Sequence, residues 1–238
     1  MKKIHHFIVK NFFPVLGEQE ILNKNIVHQI KNVLNLKTGE EVIVNDGEGK
    51  ELRAAILQIN REKLVINGFS VNDISHESKR LIRLYCSILK GDHFEWVVEK
   101  ATELGIDEIV PLVTYRTVKM NIRLERLEKI AQEAAEQCER GIVPVIRRPI
   151  KYTETITDTF KKNTAFVFDM CGSSFLDFSI HKSIKEINLL IGPEGGWSKE
   201  ELELAQKHGI SIVSLGGTIL RAETAAIVSC FWASRVLL

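Results

Sequence analysis

The stretch Leu189-Leu190-Ile191-Gly192-Pro193-Glu194-Gly195-Gly196-Trp197-Ser198, followed after one more strand by Leu215-Gly216-Gly217-Thr218-Ile219-Leu220-Arg221-Ala222-Glu223-Thr224-Ala225, decides how this chain folds. An unbroken apolar run reads as a strand buried on both faces, the mark of a parallel sheet. It leads into a glycine-rich loop, and Ser198 with Glu201 three residues later opens a helix through a capping box. Gly192 ends the strand where a missing Cβ lets a ligand approach the backbone. Pro193 fixes φ, and Gly195 and Gly196 permit a path that exposes amides. The second loop repeats the plan of strand, glycines and then apolar residues able to sandwich a flat base. Two such loops side by side at strand ends make a crevice for a small ligand.

Outward from these loops, strands and helices alternate from Arg80 onward. Arg80–Ile88 is predicted as a strand, Asp92–Leu104 as a helix opened by an Asp92…Glu95 capping box and stopped by Gly105, Glu108–Val113 as a strand and Ile122–Cys138 as a helix. Short strands are predicted at Val143–Ile146, Thr164–Asp169, Ile187–Ile191 and Ile210–Leu215, and a last helix over Ala222–Leu238. Such alternation predicts an α/β domain over residues 80–238, with a parallel sheet covered by helices on both faces. Residues 1–70 differ. They read as strands at Ile4–Val9, Glu41–Asn45, Glu51–Ile59 and Lys63–Phe69, with a turn at Asn45-Asp46-Gly47-Glu48-Gly49 and one helix near Asn25–Leu34. A small β-barrel with one helix fits, joined through a polar linker at residues 71–79.

Bulk properties narrow the function. Apolar residues make up 45% and charged residues 26%, as in a soluble globular protein. The formal charge is +1, from 32 basic and 31 acidic side chains. Nucleic-acid binding must then come from a local patch, which excludes a histone-like or tail-driven binder. Cys86, Cys138, Cys171 and Cys230 show no Cys-x-x-Cys spacing, which argues against structural zinc or a disulfide framework and for reduced thiols in a core. Met1-Lys2-Lys3 is not followed by an apolar run, and no window approaches the roughly 20 apolar residues of a membrane span. The expectation is a cytoplasmic protein with neither metal nor membrane.

The turn after the first strand of the second domain, Leu89-Lys90-Gly91-Asp92, has a single glycine, and the chain has no Gly-x-Gly-x-x-Gly and no Walker A sequence. Glycines gathered at the far end exclude the common dinucleotide arrangement. Plainer readings of the same residues stay open at this point. Glu194 fits a solvated loop acid, Glu223 fits a complement to the dipole of the helix it opens, and Arg221 fits a surface charge.

Ile191-Gly192-Pro193-Glu194-Gly195-Gly196-Trp197-Ser198 together with Leu215-Gly216 and Ile219-Leu220-Arg221-x-Glu223-Thr224-Ala225 resembles the SPOUT class of methyltransferases. More closely, it is similar to the bacterial family that methylates N3 of a uridine, uracil 1498, in 16S ribosomal RNA. The resemblance runs through Lys90-Gly91-Asp92, Trp96-Val97-Val98-x-Lys100-Ala101-Thr102-Glu103-Leu104-Gly105, Pro111-Leu112, Thr114-x-Arg116, Glu133-Ala134-Ala135-Glu136-Gln137 and the early His28, Val33-Leu34 and Leu36-Lys37-x-Gly39. It implies a PUA-like N-terminal barrel that helps hold RNA and a SPOUT-type parallel sheet with a C-terminal trefoil knot. It also implies S-adenosylmethionine as cofactor, 16S ribosomal RNA within the small subunit as partner, and a homodimer. Gly217-Thr218 stands where the family commonly has Pro-Arg, and Asn35 where it has an arginine; Thr117-Val118 and Cys138 are further departures.

On this resemblance the cofactor contacts are Leu190, Gly192, Glu194, Gly196, Leu215, Gly216, Gly217, Ile219, Leu220 and Thr224. The catalytic candidates are Arg221, to stabilise charge on the uracil or grip a phosphate, and Glu223, with Glu194, to accept a hydrogen bond. RNA-contact candidates are Lys3 and His6, beside Lys2 and His5, then Arg116, Lys119 and Arg123. Each of these also reads as a solvated surface cation. Ala225–Ala233 is apolar all round, which suits core burial or a twofold contact. The competing readings are a SPOUT enzyme acting on ribose 2′-oxygen or on tRNA, and a non-catalytic RNA-binding or ribosome-assembly protein.

Overall fold

The computed structural model describes residues 4–74, 80–118, 121–156, 160, 164–175 and 184–236. The chain divides into two compact units, one made of residues 1–77 with 135–143 and the other of residues 78–134 with 144–238.

In the first unit, strands β1 (His5–Ile8), β2 (Gly17–Ile21), β3 (Glu41–Asn45), β4 (Lys50–Ile59) and β5 (Leu64–Asp73) form one sheet in the order β1-β3-β4-β5-β2. Only the β1–β3 pair is parallel. Inward alternation puts Val42, Val44, Leu52, Ala54, Ile56, Leu64 and Ile66 in a core with Phe7. Helix α1 (Lys24–His28) adds Ile26 and Val27 and continues as a π turn over Gln29–Val33 that adds Ile30. Asn23 caps it by accepting from the amides of Asn25 and Ile26. Asn35 has φ +52°, a left-handed conformation that asparagine tolerates better than most side chains. The turn between β3 and β4 closes as expected, with Asp46 Oδ1 accepting from Glu48 N at 2.8 Å and Lys50 N at 3.1 Å.

Three features of this unit differ from the sequence reading. Strand β2 was not anticipated, because Gly17-Glu18-Gln19-Glu20 is polar; it pairs along an edge through backbone bonds to β5. Strand β5 runs through Asp73, taking in the first residues of the expected linker at 71–79, of which 75–79 lie outside the described residues. The first unit also takes in residues 135–143, which the sequence reading placed within the 80–238 domain. There Glu136 Oε1 accepts from Ile8 N at 3.0 Å, Gly141 O accepts from Gly49 N at 3.1 Å, and Val143 N donates to Gly47 O at 3.2 Å.

The second unit holds β6 (Leu81–Ser87), α2 (His93–Glu103), β7 (Glu108–Val113), α3 (Leu124–Gln137, its last residues in the first unit), β8 (Val145–Ile146), β9 (Ile150–Lys151), α4 (Tyr152–Ile156), β10 (Ala165–Ser174), β11 (Glu186–Ile191), α5 (Lys199–Lys207), β12 (Ser211–Ser214) and α6 (Ala222–Phe231). Its sheet is parallel in the order β12-β10-β11-β6-β7-β8, with β9 also on β7. Tyr85, Val110, Leu112, Val167 and Leu190 meet Tyr152 and Ile156 of α4, Trp197, and Ala205 of α5 on one face. Alternation sends Leu84, Cys86, Phe166, Leu189 and Ile191, all buried, to the other. There α6 packs on β11 and β6, and α2 packs on α6. Helices thus cover both faces. Residues 176–183, between β10 and β11 in the half expected to carry the trefoil knot, lie outside the described residues.

Local signals fared unevenly. The capping box of α5 is present, with Glu201 Oε2 accepting from Ser198 N at 2.8 Å. The expected box at Asp92 is not: Asp92 makes no side-chain cap bond, and Glu95 forms two 2.6 Å bonds to the Arg126 guanidinium. A bidentate charge-assisted pair outcompetes one reciprocal cap bond. Helix α6 ends at Phe231 and continues as a π turn to Val236. Cys86 and Cys230 are buried, Cys138 is partly covered and Cys171 is exposed, all as free thiols. Among the described residues, no helix is long and apolar enough to cross a membrane.

Strand β10 extends past the predicted Asp169, and its register with β12 shifts between Phe168 and Ser173. At the far side of that irregularity, a Cβ on Gly172 would lie 2.5 Å from the Val213 backbone. Gly172→Ala is therefore expected to destabilise the chain by about 1–3 kcal/mol, measured as a lower midpoint in denaturant unfolding. Unchanged stability would show that the two strands separate at no cost.

Candidate functional site

Past the carboxyl ends of β12, β11 and β6, and against the middle of β10, lies a cleft of about 520 Å³ within the second unit. Open parallel sheets offer ligands this edge. The loop after β11 forms one wall. Its first residue, Gly192, could not carry a Cβ without bringing it within 3.0–3.2 Å of the Trp197 indole. The missing side chain thus makes room for Trp197, whose Nε1 donates to Phe168 O at 3.0 Å and ties the loop to β10. Gly196 has φ +71° and closes a turn through its N–H to Pro193 O at 2.9 Å. Glu194 Oε1 accepts from Lys90 N at 2.8 Å, which binds this loop to the turn after β6.

The loop after β12 forms the opposite wall. Ser214 Oγ donates to Gly216 O at 2.9 Å, and Gly216 has φ +141°, open to glycine and few others. Thr218, Ile219 and Leu220 line the cleft beyond it. Arg221 then occupies the N-cap position of α6, its side chain 83% exposed, with Nη1 4.0 Å from Glu223 Oε1. The Glu223 side chain is only 8% exposed in the first turn of α6, where the helix dipole favours a carboxylate. It also faces His93 of α2, with Oε1 3.6 Å from Nδ1. Beneath them on β6, burial pushes the Cys86 thiol up, helped by Cys230 and by the charges of Glu194 and Glu223. That thiol stays protonated and is no nucleophile at neutral pH.

The cleft brings together Gly192, Glu194, Gly196, Leu215, Ile219, Leu220, Arg221 and Glu223 of the sequence-derived candidates. Leu190 is instead in the core beneath α4 and α5, and Gly216, Gly217 and Thr224 adjoin lining residues without lining the cleft themselves. Arg116, read as an RNA contact, has its guanidinium on the loop: Nη1 donates to Gly195 O at 2.6 Å. His6 is mostly covered in the first unit, 3.9 Å from Glu139, while Arg123 is exposed ahead of α3. Lys3 and Lys119, with Lys2, lie outside the described residues. The structure adds His93, Phe168, Asp169, Met170 and Trp197 to the lining. His93 follows the Lys90-Gly91-Asp92 signature directly, which was a usable signal. Phe168-Asp169-Met170 carried none, because strand order is not written in the sequence.

Comparison with known proteins agrees with this architecture. Residues 76–234 match the RNA methyltransferase domain model and residues 22–67 the RNA methyltransferase PUA domain model. A Rickettsia conorii protein named Ribosomal RNA small subunit methyltransferase E is 34% identical over 88% of this chain and 86% of its own length. The crystal structure of a Ribosomal RNA small subunit methyltransferase E from Neisseria gonorrhoeae, bound to S-adenosyl methionine, superposes with a TM-score of 0.88 at 28% identity, covering 96% of this chain and 95% of that one. A putative methyltransferase from Legionella pneumophila, solved with bound SAM, gives 0.86 at 28% identity over 98% of each chain. With its PUA-type first unit and SPOUT-type parallel sheet, the chain belongs to the ribosomal RNA small subunit methyltransferase E family.

Proposed function

We propose that the chain transfers a methyl group from S-adenosylmethionine to N3 of a uridine, uracil 1498, of 16S ribosomal RNA in the cytoplasm. The observation that carries this reading is the cleft between the two glycine loops, in a fold whose Neisseria and Legionella relatives hold that molecule. The residues present fit it. A volume of about 520 Å³ suits a small ligand. Ile191, Leu215, Ile219 and Leu220 offer apolar walls to a flat base, and the carboxylates of Asp169, Glu194 and Glu223 offer negative charge to its sulfonium and ammonium. Bound there, S-adenosylmethionine supplies an electrophilic methyl group.

The chain's own part is positioning and charge. Glu194 on Lys90 N and Arg116 on Gly195 O hold the first loop, so the pocket needs little rearrangement to bind. Arg221, exposed at the rim, is free to meet the uracil oxygens as negative charge develops, or a flanking phosphate. Because N3 lies on the Watson–Crick edge, the base must be unpaired or turned out of its helix. The PUA-type unit supports RNA binding. Helix α6 supports a homodimer, since it is apolar yet leaves Phe231 exposed at its end, with Ile219 exposed nearby in sequence.

Labelled S-adenosylmethionine offered to small subunits, naked 16S RNA and tRNA should label small-subunit RNA and create a reverse-transcription stop at uracil 1498. Label that the polymerase passes, label in tRNA, or no cofactor binding by calorimetry would point to a ribose methylase, a tRNA enzyme or a non-catalytic binder and sink the reading. In the same assay Arg221→Ala should cut turnover about 100-fold with cofactor affinity kept; full turnover would remove Arg221 from the chemistry. Sedimentation at micromolar concentration should give a dimer that Phe231→Glu splits, and a wild-type monomer would refute the dimer.

A further inference from the structure

Methylating N3 of uracil requires that its proton go to some acceptor, and the loops alone provide none suited to the task. Among the ionisable side chains lining the cleft, Arg221 cannot accept a proton. Glu194 Oε1 is taken by Lys90 N at 2.8 Å, and Asp169 Oδ1 by Cys171 N at 3.0 Å. Carboxylates are in any case weak bases for an imide N–H, because efficient proton transfer needs a pKa near the working pH. With Glu223 a buried carboxylate, the remaining group among the described residues is His93. It is the first residue of α2, half-exposed at the cleft, with Nδ1 3.6 Å from the buried carboxylate of Glu223.

We propose that His93 accepts the N3 proton and that Glu223 is its positioning residue, an inference that rests on the base-methylation reading above. The packing of α2 on α6 sets the first turns of the two helices side by side. Imidazole is the side chain that exchanges protons near neutral pH. With Nδ1 turned to the carboxylate, Nε2 is left as the proton acceptor. The 3.6 Å separation is long for a hydrogen bond and within ion-pair reach, as is common before substrate binds. The other charged groups lining the cleft are Arg221 at the start of α6, Glu194 after β11 and Asp169 on β10, and Lys90 and Asp92 stand on the turn that precedes His93.

The step balances. The proton leaves N3 for His93 Nε2, the N3 electron pair forms the bond to the methyl carbon, and the carbon–sulfur pair stays on sulfur as a thioether. Positive charge passes from the sulfonium to an imidazolium that faces the Glu223 carboxylate.

Nitrogen-15 nuclear magnetic resonance of the ligand-free full chain tests the pair directly, with the His93 ring signals assigned by their loss in His93→Gln. In the wild type the neutral ring should carry its proton on Nδ1, facing Glu223, and in Glu223→Gln that tautomer preference should be lost. Single-turnover methylation of small-subunit RNA at saturating cofactor is the second readout. His93→Gln should lower the rate about 100-fold at neutral pH. The deficit should shrink at alkaline pH, where N3 ionises unaided, and cofactor affinity by calorimetry should be retained. Free imidazole should restore turnover to His93→Gly, which a purely structural role would not allow. An unchanged His93 tautomer in Glu223→Gln overturns the role of Glu223. A wild-type rate and pH profile in His93→Gln overturn the role of His93. If the wild-type enzyme labels RNA at a position other than a base nitrogen, product mapping identifies that as the failure of the function reading, and this assignment falls with it.

Discussion

Ala165–Phe168 of β10 and Ile187–Ile191 of β11 are covered on both faces, and that burial constrains where the second unit can place its chemistry. Over Ile187–Ile191 no side chain reaches water, and Ala165–Phe168 beside them are buried as well. A sheet sealed in this way can present polar groups only past the sealed stretch. Asp169, Gly192, Glu194, Arg221 and Glu223 stand there. The site is thus a consequence of where the sheet stops being buried.

A cleft at strand ends is useful only if its loops hold their shape. Three contacts supply that, each from a different strand or its following turn. The Trp197 indole crosses Gly192 and donates to Phe168 O, Lys90 N donates to Glu194, and the Arg116 guanidinium donates to Gly195 O. They join the ends of β10, β6 and β7 to the loop after β11. Side chains that looked available for RNA or cofactor from the sequence, notably Arg116 and Glu194, are thereby spent on architecture as well. A charge that is held by a backbone partner can still face a ligand, and Glu194 does so from the cleft wall.

Much of the fold was legible. Alternating periodicity and the apolar run ending at Gly192 led to a parallel sheet with helices on both faces, and the Ser198–Glu201 box stands where the sequence put it. What stayed hidden had physical causes. Strand β2 is held by backbone bonds rather than by an apolar face, so its polar sequence gave no period to read. The grouping of residues 135–143 with the first unit depends on contacts with segments about 90 to 130 positions earlier, as in Ile8 with Glu136 and Gly49 with Gly141. Asn35 stands where the family commonly has an arginine, and its φ of +52° supplies a backbone reason for asparagine. In the site, the two loops were legible, but the contribution of β10 through Asp169 and Met170 was not, since it follows from β10 lying between β11 and β12. The pairing of His93 with Glu223 likewise joins residues 130 positions apart, through helix packing alone.

The account stands or falls on where the methyl donor sits. A crystal structure of the full chain with S-adenosylhomocysteine tests this most directly. The expected result is the product between the loops that follow β11 and β12, with its adenine against Leu215, Ile219 and Leu220 and its sulfur toward Arg221 and Glu223. Density for it at any other strand end, or a cleft left empty at saturating product, would contradict the assignment of these loops as the cofactor's seat.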